Sequence, residues 1–366
     1  MASGNGGQLA IAKLGSLYHD VNSAIIWQNF VSETVEHKLT ELEEGSINGR
    51  RDAPDSHKGL SMADGEINME PNPNAIGHWL KAWFGTHASS IVTNAASNGA
   101  NSGDFAAYSQ IWHKFTPTQA AFSTYTFLEP YNFLIHRDVG SSFLYKQGIV
   151  PQLRVNIEAA QLVKMSASIM ARKTDRVERI AAIQSLVSSG GRPWVWDMAS
   201  VEVSTTGTAS AALAAQTEFE QLNMTFNLPH EGTPLLDGTK FYGEFSPTDF
   251  RRITFDGTLS FRDQDEYDAF IAYEPRRVRV TLLNVNSRFS LGNIASLDSA
   301  AFLGYPGMRF HFPKFKFLSW SAPISGPNRL TASFTAKAEY DEASGFSAAV
   351  ELMNIVPAAT YDNALS

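Results

Sequence analysis

The sequence predicts a mainly β protein made of two tandem copies of one unit, each with a short flanking helix. Three observations predict it. Stretches of strict period-two alternation recur along the chain. Twice such a strand runs straight into a short capped helix. The order of elements around those two steps is the same in both halves.

The second step is the clearer one. In RRITFDGTLSFRDQDEYDAF (251–270), Ile253, Phe255, Gly257, Leu259 and Phe261 hold every odd place. Thr254, Asp256, Thr258, Ser260 and Arg262 hold the even places, so one face is apolar and one wet. Asp263 and Glu266 then stand three apart, as in a capping box, and Tyr267, Phe270 and Ile271 follow at helical spacing. The expected helix runs over Gln264–Tyr273.

The first step is DGEINMEPNPNAIGHWLKAWFG, from Asp64 to Gly85. Ile67 and Met69 alternate with Glu66, Asn68 and Glu70. Asn72 suits an N-cap and Pro73 the first helical position, while Ile76, Leu80 and Phe84 form one apolar face. Gly85 supplies a stop, so the expected helix is Pro73–Phe84. The two steps lie about 190 residues apart.

An alternating stretch and a long polar loop precede each step, at 45–63 and 229–250. A strand pair follows each: PQLRVNIEAAQLVKMSASIMARKTD turns at EAA, and MRFHFPKFKFLSWSAPISGPNRLTASFTAKAEYDE turns at Gly326-Pro327-Asn328. The join is expected near Gly190-Gly191, after a helix or turn at DRVERIAAIQSL, which gives domains 1–190 and 191–366. Residues 92–103 and 204–217 read as exposed insertions, the second Ala-rich enough for a short helix.

Composition narrows the function. The chain has 366 residues, 43% hydrophobic and 18% charged, enough for two cores. Its net charge of −8 argues against a sequence-reading nucleic-acid binder, which needs a basic face. The absence of cysteine removes disulfides, thiol catalysis and cysteine-bound zinc. The N-terminal stretch lacks a secretory pattern, and no 18-residue apolar run offers a membrane span. The nine histidines are scattered without a close pair, and neither a phosphate loop nor G-x-S-x-G occurs. DQDEYD lacks the glycine and the distant glutamate of an EF-hand, and reads as a helix start with acids at its positive end. Trp194 and Trp196 alternate as a sugar platform or, more simply, as core packing. No catalytic site, cofactor or metal is indicated, and the chain is not read as an enzyme.

A strand with one wet face and an open edge invites pairing with another chain, and ring closure removes the edge. Here the sequence resembles the major tail tube proteins of long-tailed, siphovirus-type bacteriophages. The stretches that carry the resemblance are VEHKLTELEEGSINGRRDA with GLSMADGEINMEPNPNAIGHWLKAWFG, YTFLEPYNFLIHRDVGSSFLYKQGIVPQLRVNIEAAQLVKMSASIMARK, GRPWVWDMASVEVS, FEQLNMTFNLPHEG and RRITFDGTLSFRDQDEYDAF. The resemblance implies tail-tube-type β-sandwich or split-barrel domains whose strands close an inter-chain β-barrel around a channel for viral DNA. It implies a structural virion protein, made in the bacterial host cytoplasm, that assembles with itself. Two domains per chain would make a ring of six positions from three chains, a pseudo-hexameric homotrimer. The partners implied are tape-measure and tail-tip or terminator proteins and DNA passing non-specifically. Competing readings are a carbohydrate-binding or hydrolytic two-domain β protein, and a jelly-roll coat protein.

Burial fixes the faces of the strands. The lumen-facing set is Glu66, Asn68 and Glu70; Arg154, Asn156, Glu158, Lys164, Ser166 and Ser168; and Thr254, Asp256, Thr258 and Ser260. Arg154 and Lys164 are expected to pair with nearby acids. Ile76, Leu80, Phe84, Tyr267, Phe270 and Ile271 are expected to pack the two helices onto the sheets.

Overall fold

The structure is a computed structural model. It describes residues 7–13, 26–43, 52, 55–92, 110–119, 128–178, 192–204, 213–262, 264–284, 306–324, 329–354, 356 and 361. Up to Val177 the elements are β1 Gly7–Lys13, β2 Ile26–Gln28, β3 Ser32–Glu33, β4 Glu36–Glu43, β5 Ser56–Met69, α1 Gly77–Phe84, β6 Gly85–Val92, β7 Gln110–Pro117, β8 Tyr131–Arg137, β9 Ser142–Glu158 and β10 Lys164–Val177. A single 3-10 turn, Trp196–Met198, follows. Then come β11 Ala199–Ser204, β12 Leu213–Gln216, β13 Phe219–Asn227, β14 His230–Thr233, β15 Glu244–Pro247, β16 Arg252–Ser260, α2 Asp265–Ile271, β17 Arg276–Leu283, β18 Gly307–Ser321, β19 Thr331–Ala338 and β20 Ala349–Asn354. The protein is mainly β, with every strand pairing antiparallel.

One sheet runs β4–β5–β10–β9–β13–β16–β19–β18. The long strands β9 and β18 turn out of it into a second layer. There β9 meets β8, β1 and β2, and β18 meets β17, β11 and β12 on one side. On its other side β18 meets β20, β7 and β6. The pairing order is thus the same twice: β2–β1–β8–β9–β10–β5–β4, then β12–β11–β17–β18–β19–β16–β13.

Alternation produces these strands. In β10, Met165, Ala167, Ile169 and Ala171 are buried and the residues between them are not. In β16, Ile253, Phe255, Gly257 and Leu259 are buried while Arg252, Thr254 and Asp256 are exposed. The core between the layers is aromatic, with Phe255 edge-on to Phe312 and Phe315 at 4.7 and 4.8 Å. It is continuous from Leu9 to Tyr361, so both halves share it.

The helices differ from expectation in extent and in packing. Residues 73–76 form turns, held by Asn74 N to Asn72 Oδ1 (2.9 Å) and Ile76 N to Asn72 O (3.0 Å); α1 proper begins at Gly77. It has no wet face. All eight residues are buried, because it fills the space between β9, β6 and β7 and meets Phe226 of β13. Its Lys81 is satisfied by Gly85 O (2.6 Å) and Glu129 (3.2 Å). Gly85, at φ 82°, ends the helix. By contrast, α2 buries only Ala269 and lays Phe270 against the core. Tyr267 and Ile271, expected to pack inward, are 40% and 64% exposed. Among the described elements α2 lies mainly on β18, and Tyr267 and Ile271 on its other side stay uncovered there.

Three further expectations change. The first loop, expected over 45–63, ends before Ser56, since Ser56 already belongs to β5, and residues 45–51, 53 and 54 lie outside the described residues. The 229–250 segment holds the β14–β15 hairpin and docks within its own chain. Ser61 N and Oγ bond Lys240 O (2.9 and 3.1 Å), Arg172 bonds Tyr242 O, and Lys173 lies over the Phe241 ring. Part of 204–217 is not loop but β12, paired with β11. Residues 93–103 and 205–212, the join at 190–191, the 179–190 segment, Asp263 with its capping box, and the 326–328 turn lie outside the described residues.

Candidate functional site

The strand registers carry the wet residues across the sheet in rows. One row reads Asn68–Ser166–Arg154–Thr225–Thr254–Lys337–Lys316. The next reads Lys164–Asn156–Asn223–Asp256–Thr335–Ser319. Flanking rows run Glu66–Ser168–Gln152–Asn227–Arg252 and Glu158–Gln221–Thr258–Ser333–Ser321. Directly opposed residues of an antiparallel pair share a face, so these four rows are one continuous polar surface. Its middle is concave, a groove of about 540 Å³ whose walls include Glu70, Arg154, Glu158 and Lys164.

Neutral hydrogen bonds knit the surface. Asn156 donates to Asn223, Asn68 Nδ2 to Ser32 Oγ (3.0 Å), and Ser319 meets Thr335 at 2.7 Å. Lys164 Nζ donates to Gln161 Oε1 at 2.7 Å rather than to an acid, and Arg154 forms no ion pair with a described residue. At one rim Glu339 gathers Lys337, Lys314 and Lys316 at 2.8, 3.3 and 3.3 Å. Hydrogen bonds from Lys337, Lys316 and Lys314 outweigh its partial burial and hold the carboxyl down at about 2. Acids and bases are interspersed, so the face is mixed in sign.

Two strand pairings join the halves, β9 with β13 and β7 with β20; behind the polar face α1 seals the β9–β13 joint. Trp83 Nε1 donates to Pro151 O (3.3 Å), and its ring lies 5.4 Å from Phe226. Arg251 sits over Trp83, and burial pushes its guanidinium down to about 10.

A family model for the phage tail tube protein matches residues 4–338, nearly the whole chain. The chain belongs to the phage tail tube protein family. It is therefore a structural component of the virion tail that assembles with itself into a tube. The comparison with curated proteins found no match.

In this tail tube protein the candidate lumen residues fall as follows. Asn68, Glu70, Arg154, Asn156, Glu158, Lys164 and Ser166 come together around the groove; Glu66, Ser168, Thr254, Asp256 and Thr258 lie in the same rows. Ser260 does not belong. It is 8% exposed, one residue beyond the register shift between Phe219 and Gln221, and its N–H bonds Glu218 O (2.8 Å). Sequence reading missed the contribution of β13 (Gln221, Asn223, Thr225, Asn227) and of β18 and β19 (Lys316, Ser319, Ser333, Thr335, Lys337). Strands β13 and β19 alternate over most of their length, whereas β18 is broken by a register shift between Phe317 and Ser319; Ser-Ala-Ser-Ile-Met-Ala-Arg (166–172) against Thr-Ala-Ser-Phe-Thr-Ala-Lys (331–337) was the available signal.

Other chemistry finds no support among the described residues. No group of His, Asp or Glu there is arranged to hold a metal. His87 and His113, far apart in sequence, stack with ring nitrogens 3.0 Å apart, but His113 continues to Asn354 (3.0 Å) as a core network. Trp194 is buried and Trp196 is 45% exposed, so the two do not share a platform. No helix of the described residues is long and apolar enough to cross a membrane.

Proposed function

We propose that the chain builds the tail tube of a long-tailed, siphovirus-type phage as a trimer, each chain supplying two tube domains, 1–190 and 191–366. The inter-chain barrel is closed by the eight-stranded sheet, and its polar face lines the channel through which DNA passes. The observation that carries this reading is the pairing order that runs twice along the chain, with the polar rows continuous across the β9–β13 joint. Six equivalent positions then come from three chains. A wall of mixed sign and short polar side chains suits passage, because a dense row of bases would hold phosphates by counterion release. The ends of such a tube need tape-measure and tail-tip or terminator proteins.

The test is charge on the wall. Phage carrying Glu66→Lys, Glu70→Lys and Asp256→Lys together should assemble normal tails, since all three positions are wet. DNA ejection from them should slow, most at low salt, where phosphate attraction is least screened. Ejection with unchanged rate and salt dependence would mean that these strands do not line the DNA path.

A further inference from the structure

The two sets of pairings can be aligned residue by residue. Asp64-Gly65 falls on Asp256-Gly257, and Ser168, opposite Glu66, falls on Ser333, opposite Thr258. Through them Gln152 corresponds to Ser321, and Glu36, opposite Asp64, to Asn223, opposite Asp256. Both glycines have backbone of a neighbouring segment packed where a side chain would stand. A Cβ would stand 2.5 Å from Val35 Cα at Gly65 and 2.7 Å from Gln221 O at Gly257.

On this alignment two strand edges are left over. Strand β13 pairs with β16 and β9, whereas its counterpart β4 pairs with β5 alone among the described residues. Strand β9 pairs with β13 near its end, whereas β18 beyond Phe315 pairs, among the described residues, with β19 alone. The open edges lie at opposite ends of the eight-stranded sheet. They are the counterparts of the two edges that meet inside the chain.

Side-chain exposure agrees. Leu39 corresponds to Phe226, and Ile324 to Val155. Phe226 and Val155 are 1% and 2% exposed; Leu39 and Ile324 are 55% and 84% exposed. Apolar side chains stand bare at core-facing positions where the sheet stops. Helix α2 repeats the pattern: α1 covers the inner joint, while α2 leaves Tyr267 and Ile271 bare beside the open edge of β18.

We propose, resting on the tube reading above, that β4 of one chain pairs antiparallel with the end of β18 and residues 322–324 of a second copy. The register is that of β9 on β13. Leu39 then lies opposite Ala322, Lys38 opposite Pro323 and His37 opposite Ile324, with α2 over the joint. Pro323 does not block this. Leu228 N to Pro151 O and Ala159 N to Glu220 O (2.9 Å each) show that odd-numbered residues of β9 bond β13. Pro323 matches the even-numbered Arg154, so its missing N–H is lost to β19 and not to the neighbour. The contact is heterologous, and repeated around an axis it closes a ring without open edges.

Cross-linking tests it in a chain that has no cysteine of its own. Lys38 and Pro323 would form a pair not joined by hydrogen bonds, with Cα atoms about 4.5 Å apart, within disulfide reach. Lys38→Cys combined with Pro323→Cys should, on oxidation of assembled rings, give covalent dimers and closed trimers. The yield should be at least tenfold above that of Glu36→Cys with Pro323→Cys, which is two residues out of register. Rings in which the first pair fails, or does no better than the second, overturn the proposed pairing while leaving the tube reading intact. Wild-type protein that forms no rings overturns the tube reading itself. Amide exchange on unmodified rings covers misfolding of the variants: residues 36–43 should be protected as strongly as β13, and fast exchange there overturns the pairing.

Discussion

Glu339 concentrates the electrostatics of the polar face in one residue. Three lysines on β18 and β19 converge on it, and its carboxyl is held at about 2. A carboxylate whose folded pKa lies below its unfolded value near 4.3 stabilises fully above that value. The contribution is lost as pH falls from about 4.5 toward 2. Glu339→Gln should lower stability by about 0.5–1 kcal/mol at pH 7, the scale of a screened surface network. The gap from wild type, measured by denaturant unfolding, should close as pH approaches 2. A gap that is constant from pH 7 to 2 would show that the charge of Glu339 is not its source. At this scale the sequence was legible where alternation was strict, as at Thr254 and Asp256, and misleading at Ser260, which is buried just past the register shift in β13 although alternation leaves it wet.

At the scale of elements, the two helices share a place in the pairing order and differ in what covers them. Leu80 of α1 is 2% exposed, so Leu80→Asp puts an uncompensated charge into the core, costing several kcal/mol. That variant should be insoluble or unfolded by circular dichroism. Ile271→Asp on α2 meets water in the single chain, so it should fold with a wild-type melting curve and fail to form rings in sedimentation. Wild-type assembly by Ile271→Asp would show that nothing covers α2. Strand-to-helix steps were readable because two periodicities meet there. Strand β20 was not, since Ala349–Asn354 is buried throughout between β7 and β18 and shows no alternation. Strand β12 was hidden by its composition: small residues without aromatics read as loop.

For the whole molecule, the family match makes this a tail tube protein, and the pairing order that runs twice is what supports the proposal that one chain fills two of six ring positions. Among the described residues the sheet ends in two unpaired strand edges, which the proposed pairing between chains would close. What sequence could not supply is which edges finish it, because that depends on registers between strands more than 60 residues apart, such as Arg154 with Thr225. The most direct test is electron microscopy of the purified protein. Hollow tubes of stacked rings are expected, with three chains and six near-equivalent lobes per ring in end-on averages. Six chains per ring, closed shells, or monomers that persist at high concentration would contradict the proposed trimeric tube.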